Sequence, residues 1–451
     1  MNESKLIELG HLLTKAALDA GADQAEAAAS WSRSVETHIQ NGDVHSVQTD
    51  DETTFGLRVL VGDRLGFVTA NDTLHSLLRE RAEEAVAQAR VNPSDPWQGL
   101  PEPLATTPVD GLFDNAVDEL TAKYTTERAR ELVDHVRGRD ERIRIDSGAV
   151  SASVSRSALV STAGVEVSES GTDVSSSLFG MAVDGEDVAS FDYESETSRS
   201  LAGFEAGYIQ AADRFADKCL AGLGAGAGSS FRGAVLLSPD AVAELLLPTF
   251  LGAISAEAVR KERSRLASDC GKAVAASCVT LTENGSLAGG VASSAFDREG
   301  MPIVPHTLID AGVLGMFLFN SYEARAAGGD ARSTGHASGG VASLPGIGSS
   351  YLELDAGDTA SADLVSPSET IIHVGRFSGS TNGVTGDFSG VVKGSHIIEA
   401  GAWRPVREVL IAGNVFDMLN QVSAISTERH LVGATALLPT LRIEGISITA
   451  G

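Results

Sequence analysis

The residues able to do chemistry in this sequence are few and scattered. Ten histidines occur singly, and no G-x-S-x-G, G-x-x-x-x-G-K-[ST] or H-E-x-x-H pattern is present, so the usual serine-hydrolase, nucleotide and zincin signals are missing. His306 with Asp310, or His336 in STGHASG, offers at most a pair of metal donors, and a solitary loop histidine more commonly sits at the surface or in a cap. Asp297 and Glu299 in AFDREG could form a carboxylate dyad, but alternate residues on a strand face opposite ways, so the spacing favours a turn. Cys219, Cys270 and Cys278 match neither a zinc ribbon nor a C-x-x-C redox pair and read as buried thiols.

The stretch SGSTNGVTGDFSG offers recognition instead of catalysis. Gly379, Gly383 and Gly386 permit close backbone approach, while Asn382, Thr385 and Asp387 can position strands or donors, which suits a substrate groove holding an extended peptide by main-chain hydrogen bonds. The same glycines would equally serve hairpin turns and bulges. On the groove reading Gly383→Val is harmful, since it adds bulk where a backbone must pass and forbids a positive φ.

The elements that must position these residues follow from periodicity. Leu6, Leu9, Leu13, Ala16 and Ala17 predict an amphipathic helix ending at Gly21, and two hairpins follow, turning at Asn41-Gly42 and Gly62-Asp63. Asp72 is placed to cap a second helix, and Ala129, Leu132, Val133 and Val136 predict a third that stops at Gly138. Five prolines between 93 and 108 make that stretch an extended connection. Ser- and Val-rich strands after residue 143 extend the first sheet, and GLGAGAGSS is expected as a flexible linker. Ser238 and Pro239 open another helix, which Pro248 should kink or end. The predicted fold class is α+β: residues 1–221 form an antiparallel sheet flanked by helices, 222–230 a linker, and 231–451 a compact, barrel-like β-rich domain.

Size and charge exclude several roles. The chain has 451 residues, which predicts more than one domain, and 61 acidic against 34 basic residues give a net charge of −27. Such a surface repels phosphates, so no nucleic acid partner is expected. No apolar run of about 18 residues occurs and the N-terminus lacks a signal-peptide pattern, so no membrane association and a cytoplasmic location are expected.

The blocks VLLSPDAVAELL, SSAFDREGMPIVPHTLIDAGVLGMFLFNSYEAR, STGHAS, YLELDAGD, TGDFSG and PVREVLIAGNVFDML, in this order, resemble the TldD/PmbA family of metallopeptidases, and GLRVLVGDRLGFVTAND continues the likeness toward the N-terminus. In that family the TldD-type subunit carries an H-E-x-x-x-H helix and a downstream cysteine that hold the metal. Here the corresponding helix reads EAVRKERSRLAS, no histidine lies between His135 and His306, and no cysteine follows Cys278. The resemblance is therefore to the PmbA (TldE) subunit. It implies no cofactor or catalytic residue in this chain, zinc in a TldD-like partner, and a heterodimer that cleaves unfolded peptides or matures peptide precursors. A non-catalytic peptide-binding or regulatory homodimer is the alternative, and a stand-alone hydrolase with another nucleophile is disfavoured by the missing elbow.

Overall fold

A computed structural model describes residues 1–366 and 369–451. In the first half, α1 (Glu3–Asp19) is followed by β1 (Gln24–Gln40), β2 (Asp43–Val61), β3 (Arg64–Ala70) and α2 (His75–Val91). Then come a one-turn α3 (Asn115–Asp118), α4 (Ala122–Arg139), β4 (Ile143–Ser161), β5 (Glu166–Asp184), a two-residue β6 (Asp187–Val188), β7 (Asp192–Ser198) and α5 (Leu201–Ala221). The sheet runs β3-β2-β1-β4-β5-β6 with β7 also on β5, and all its pairings are antiparallel. The β1–β2 turn falls at Asn41 and Gly42, both at positive φ, the geometry that matches strand twist.

Strands of 17 to 19 residues are long enough to carry two helical pairs end to end. Alternation puts Ala25, Ala27, Ala29 and Trp31 under α1 and α2, and Val35 and Ile39 under α4 and α5, so one face of β1 feeds two separate cores. The outer half of β2, residues 43–54, pairs with β1 on one side only and is mostly exposed.

Three local expectations are corrected. Asp72 accepts from the Leu74 amide and turns the chain before α2, whose own N-cap makes no side-chain bond. Gly138 lies inside α4, which runs to Arg139. Cys219 is buried, but Cys270 and Cys278 are exposed.

In the second half a large sheet runs through strands Leu281–Glu283, Leu352–Leu354, Ala436–Ala450, Phe231–Leu237, Thr370–Val374, Ser395–Glu399 and Ala402–Arg407. The hairpin of Arg376–Thr381 and Asp387–Lys393 joins it through Val409–Asn414, which pairs with Ala436–Ala450. These strands surround one helical rod, since Val242, Leu245, Phe250 and Ile254 are buried at the centre of the same apolar cluster as Ile372, Ile411, Leu441 and Ile443. Pro248 does not end that rod. It sits in the first turn of Leu247–Ala253, directly after a π-helical turn Val242–Leu246, whose wider ladder absorbs the position where proline has no N–H to give. Residues 222–230, expected as a free linker, are tied down. Gly224 donates to Asp187, Gly226–Ala227 pair in parallel with Val406–Arg407, and Ser230 accepts from the Ala450 amide.

The two halves meet on the face of the first sheet that carries no helix. Cross-strand neighbours Glu26 and Arg58 point there, and Arg58 bridges Glu26 at 2.6 Å and Glu299 at 3.1 Å. Arg298 reaches the other Glu26 oxygen at 3.2 Å, and the Ser321 hydroxyl and amide close the Glu299 carboxylate. Burial works against the Arg58 charge, but the two glutamates outweigh it and raise its pKa above the ordinary value. Asp297 sits one residue from this network, as the predicted turn. It accepts from the amides of Glu299, Met301 and Ala337, while burial and the neighbouring Glu299 push its carboxyl up to about 7.

The hairpin glycines divide. A Cβ on Gly379 would stand 2.5 Å from Gly390 Cα and from the Ser389 carbonyl oxygen, and Gly386 has a φ of +83° against the Phe416 ring. Gly383 faces open space with its φ outside the left-handed region, so no contact or backbone strain within the described chain opposes Gly383→Val.

Three outcomes follow from these contacts. Gly383→Val should leave stability within about 0.5 kcal/mol of wild type, while Gly379→Ala should cost about 1–3 kcal/mol in urea denaturation. Arg58→Met strands two buried carboxylates and should cost about 3–5 kcal/mol, with Arg58→Met/Glu299→Gln less unstable than the sum of its single changes. Asp297 binds its proton more tightly when folded than when unfolded. Its contribution is therefore full below about pH 4 and is lost as pH rises through about 7. Calorimetry should show wild type losing stability relative to Asp297→Asn between about pH 4 and pH 7, and a constant difference would refute this assignment.

Candidate functional site

Of the six residues expected to line a groove, four gather at the tip of the hairpin. Asn382 Oδ1 accepts from the amides of Val384 and Thr385, which folds the loop back, and the Thr385 hydroxyl donates to Asp387 at 2.8 Å. Asn414 Nδ2 donates to the Thr385 carbonyl and to Asp387, and Arg265 reaches Asn414 at 3.0 Å and Asp417 at 3.2 Å. Hydrogen bonds from Asn414 and Thr385 hold the Asp387 carboxyl below its usual range. Gly386 closes this tip, Gly383 stands free of it, and Gly379 lies further back, opposite Gly390.

Strand Arg376–Thr381 pairs with the hairpin's second strand alone, so its other side is an edge. The Phe377 amide on that edge donates to Glu244 Oε2 at 2.6 Å, and Tyr193 donates to the other Glu244 oxygen at 3.2 Å. Burial raises the Glu244 pKa against those two donors. By the alternation of an antiparallel pair, Gly379 and Thr381 present their main-chain groups to the same side as Phe377. That row is what an extended chain would pair with. Sequence reasoning missed Glu244, Arg265 and Asn414. Asn414 had a signal, as a capping residue directly before the apolar run VFDML, and it does cap helix Val415–Asn420.

The histidines expected as possible donors are separated from Asp310. His306 and Asp310 stand at opposite ends of a five-residue strand, about 13 Å apart. His306 instead lies against His336, with ring centres 5.1 Å apart. His336 is buried, not at the surface, and both its nitrogens are used, with Glu283 at 2.9 Å and Thr334 at 2.8 Å. Burial opposes the Glu283 charge, but His336 and Ser350 hold its pKa below the ordinary value. This is a closed structural knot.

A cleft of about 460 Å3 lies between β7 and α5 on one side and residues 238–240 and 430–434 on the other. Its lining is acidic on balance, with Lys218 between Glu194 at 3.0 Å and Asp240 at 2.8 Å, and Arg214 3.6 Å from both Glu194 and Glu196.

The segment EAVRKERSRLAS does not fit a metal. Helix Ala256–Arg260 ends in Arg260, whose guanidinium makes a two-pronged contact with Glu323 at 2.7 and 2.8 Å, and Lys261, Arg263 and Arg265 follow. Guanidinium and ammonium groups supply no lone pair and repel a dication. Among the described residues no group of three or more His, Cys, Asp or Glu is placed to hold a metal ion, and no helix is long and apolar enough to cross a membrane.

Comparison with known proteins agrees with this architecture. Residues 230–450 match the PmbA/TldA metallopeptidase C-terminal domain, and residues 25–91 match PmbA/TldA metallopeptidase domain 1. The chain is 25% identical to the metalloprotease PmbA of Escherichia coli O157:H7 over 433 residues, 94% of this chain and 92% of that protein. It is 26% identical to an uncharacterized protein of Methanocaldococcus jannaschii over 389 residues, 86% of this chain and 88% of that one. Its fold superposes on the crystal structure of TldE from Thermococcus kodakarensis with a TM-score of 0.88, 22% identity, and coverage of 98% of this chain and 100% of the other. With both matched regions in one chain and full-length relatives on either side of them, the protein belongs to the TldD/PmbA metallopeptidase family.

Proposed function

We propose that this chain is the subunit of a two-chain peptidase that holds no catalytic metal, working with a TldD-like partner that supplies zinc and the general base. The observation that carries this reading is the cationic segment Arg260–Arg265, with Arg260 clamped on Glu323, at the place where the resemblance puts a metal-binding helix. An enzyme of this type needs two imidazoles one helical turn apart, and this segment has none.

The contribution of this chain is then to bind and orient. The unpaired edge of Arg376–Thr381 can hold an extended peptide through main-chain bonds without regard to its side chains, which suits unfolded substrates. Glu244 occupies the first position of that edge, so a paired peptide begins beyond Phe377. The ring of Asn382, Thr385, Asp387, Asn414 and Arg265 fixes the far end of the strand.

The test is reconstitution. The chain alone should carry well under one zinc per protein by elemental analysis and should not cleave peptides, and mixing with a TldD-like chain should give a stable complex that does both. A tightly held zinc at one per chain, or peptidase activity of this chain alone, would overturn the assignment. A stable homodimer that binds peptide and ignores every TldD-like chain would favour the regulatory alternative, and a monomer by light scattering would oppose both. In the reconstituted complex Asn382→Ala and Thr385→Ala should lower cleavage several-fold with melting changed by less than about 1 kcal/mol. Loss of both together, or of neither, would return the tip to a purely structural role.

A further inference from the structure

Strands Thr370–Val374 and Ser395–Glu399 place His373 directly opposite His396, with ring centres 6.2 Å apart. They lie on the sheet face that also carries Ile371 and Ile398, away from the main apolar cluster. Trp403, on the next strand and about half exposed, stands 5.3 Å from His373 and 5.9 Å from His396. The Nδ1 atoms of both histidines are buried and have no hydrogen-bond partner among the described residues.

A buried ring nitrogen without a partner is costly, and two side by side call for a cause. The spacing allows one arrangement. A ring centre lies about 3.2 Å from a metal its nitrogen ligates, so centres 6.2 Å apart can share one ion only with the two nitrogens on nearly opposite sides of it.

We propose that His373 and His396 form a two-imidazole chelate for a divalent transition cation, with Cu2+ held more tightly than Zn2+, the remaining positions filled by water, and Trp403 as a movable cover. The preference follows from imidazole ligands and the usual order of first-row affinities. This site stands on the opposite side of the question from the peptidase reading, because it asks for no catalysis and no partner chain.

The full-length chain should be titrated with Cu2+ and Zn2+ by calorimetry and by tryptophan fluorescence, with paramagnetic resonance of the Cu2+ form. The expected result is one Cu2+ per chain at micromolar affinity, quenched tryptophan emission, and a spectrum showing two equatorial nitrogens. His373→Gln and His396→Gln, which keep bulk and polarity, should each weaken binding by more than about tenfold with wild-type melting, while the exposed His75→Gln leaves it unchanged. No binding at micromolar Cu2+, a spectrum without two nitrogens, or variants that bind like wild type would overturn the proposal. The nitrogen count on the wild-type protein decides the matter even if a variant does not fold.

Discussion

Arg58 sits between two buried carboxylates, and the relation of the two halves depends on that arrangement. Its guanidinium is delivered by β2 of the first sheet, its partners come from β1 and from the loop after Ser293, and none of the three is exposed enough for water to stand in. A buried ion pair adds little stability over apolar packing, but it tolerates only one geometry, so its effect is to select a register between the halves. Apolar contacts around it work in the same direction. Ala28, Leu159 and Val165 of the first sheet enclose Met301, and a Cβ at Gly56 would run into the backbone at Val341. The second half therefore rests on the first as a fitted surface, and the loops carrying Asp297, Glu299 and His336 hold their shape because both sides fix them.

The same logic explains what was legible in the sequence. Elements set by local rules could be read directly. The Asn41-Gly42 turn needs two residues tolerant of positive φ, and α1 shows its apolar stripe at helical spacing. What escaped was set by distant partners. Pro248 looked like a helix breaker because nothing in the adjacent residues announces a π turn that accommodates it. His336 looked like a surface residue because Glu283 is 53 positions away. Gly379 and Gly383 looked alike because a glycine in a tight approach and one in an open loop are identical in a sequence, and of the two Gly379 backs closely onto the main chain of the opposite strand. For the site, periodicity supplied candidates but no chemistry, whereas the ordered blocks of the family resemblance pointed to the segment whose guanidinium and ammonium groups offer a metal no lone pair.

The candidate edge shows how a π turn serves a neighbour. The extra residue in Val242–Leu246 turns Glu244 out of the helical rod toward Phe377, so one π-helical stretch meets the first donor on the open edge of that strand. A regular helix would direct that side chain elsewhere by about a quarter turn. The helical rod thus meets the unpaired edge of that strand at a carboxylate.

The outer half of β2 carries a different consequence. An edge strand with unpaired backbone groups is a template on which another copy can grow, and this one is twelve residues long. It bears Asp43, Asp50, Asp51 and Glu52, all exposed, so two such edges brought together would stack like charges along their length. Colloidal solubility is thereby written into the arm. The protection is made of exposed carboxylates, so salt, which screens such charges, is the condition that would weaken it along the β1–β2 hairpin.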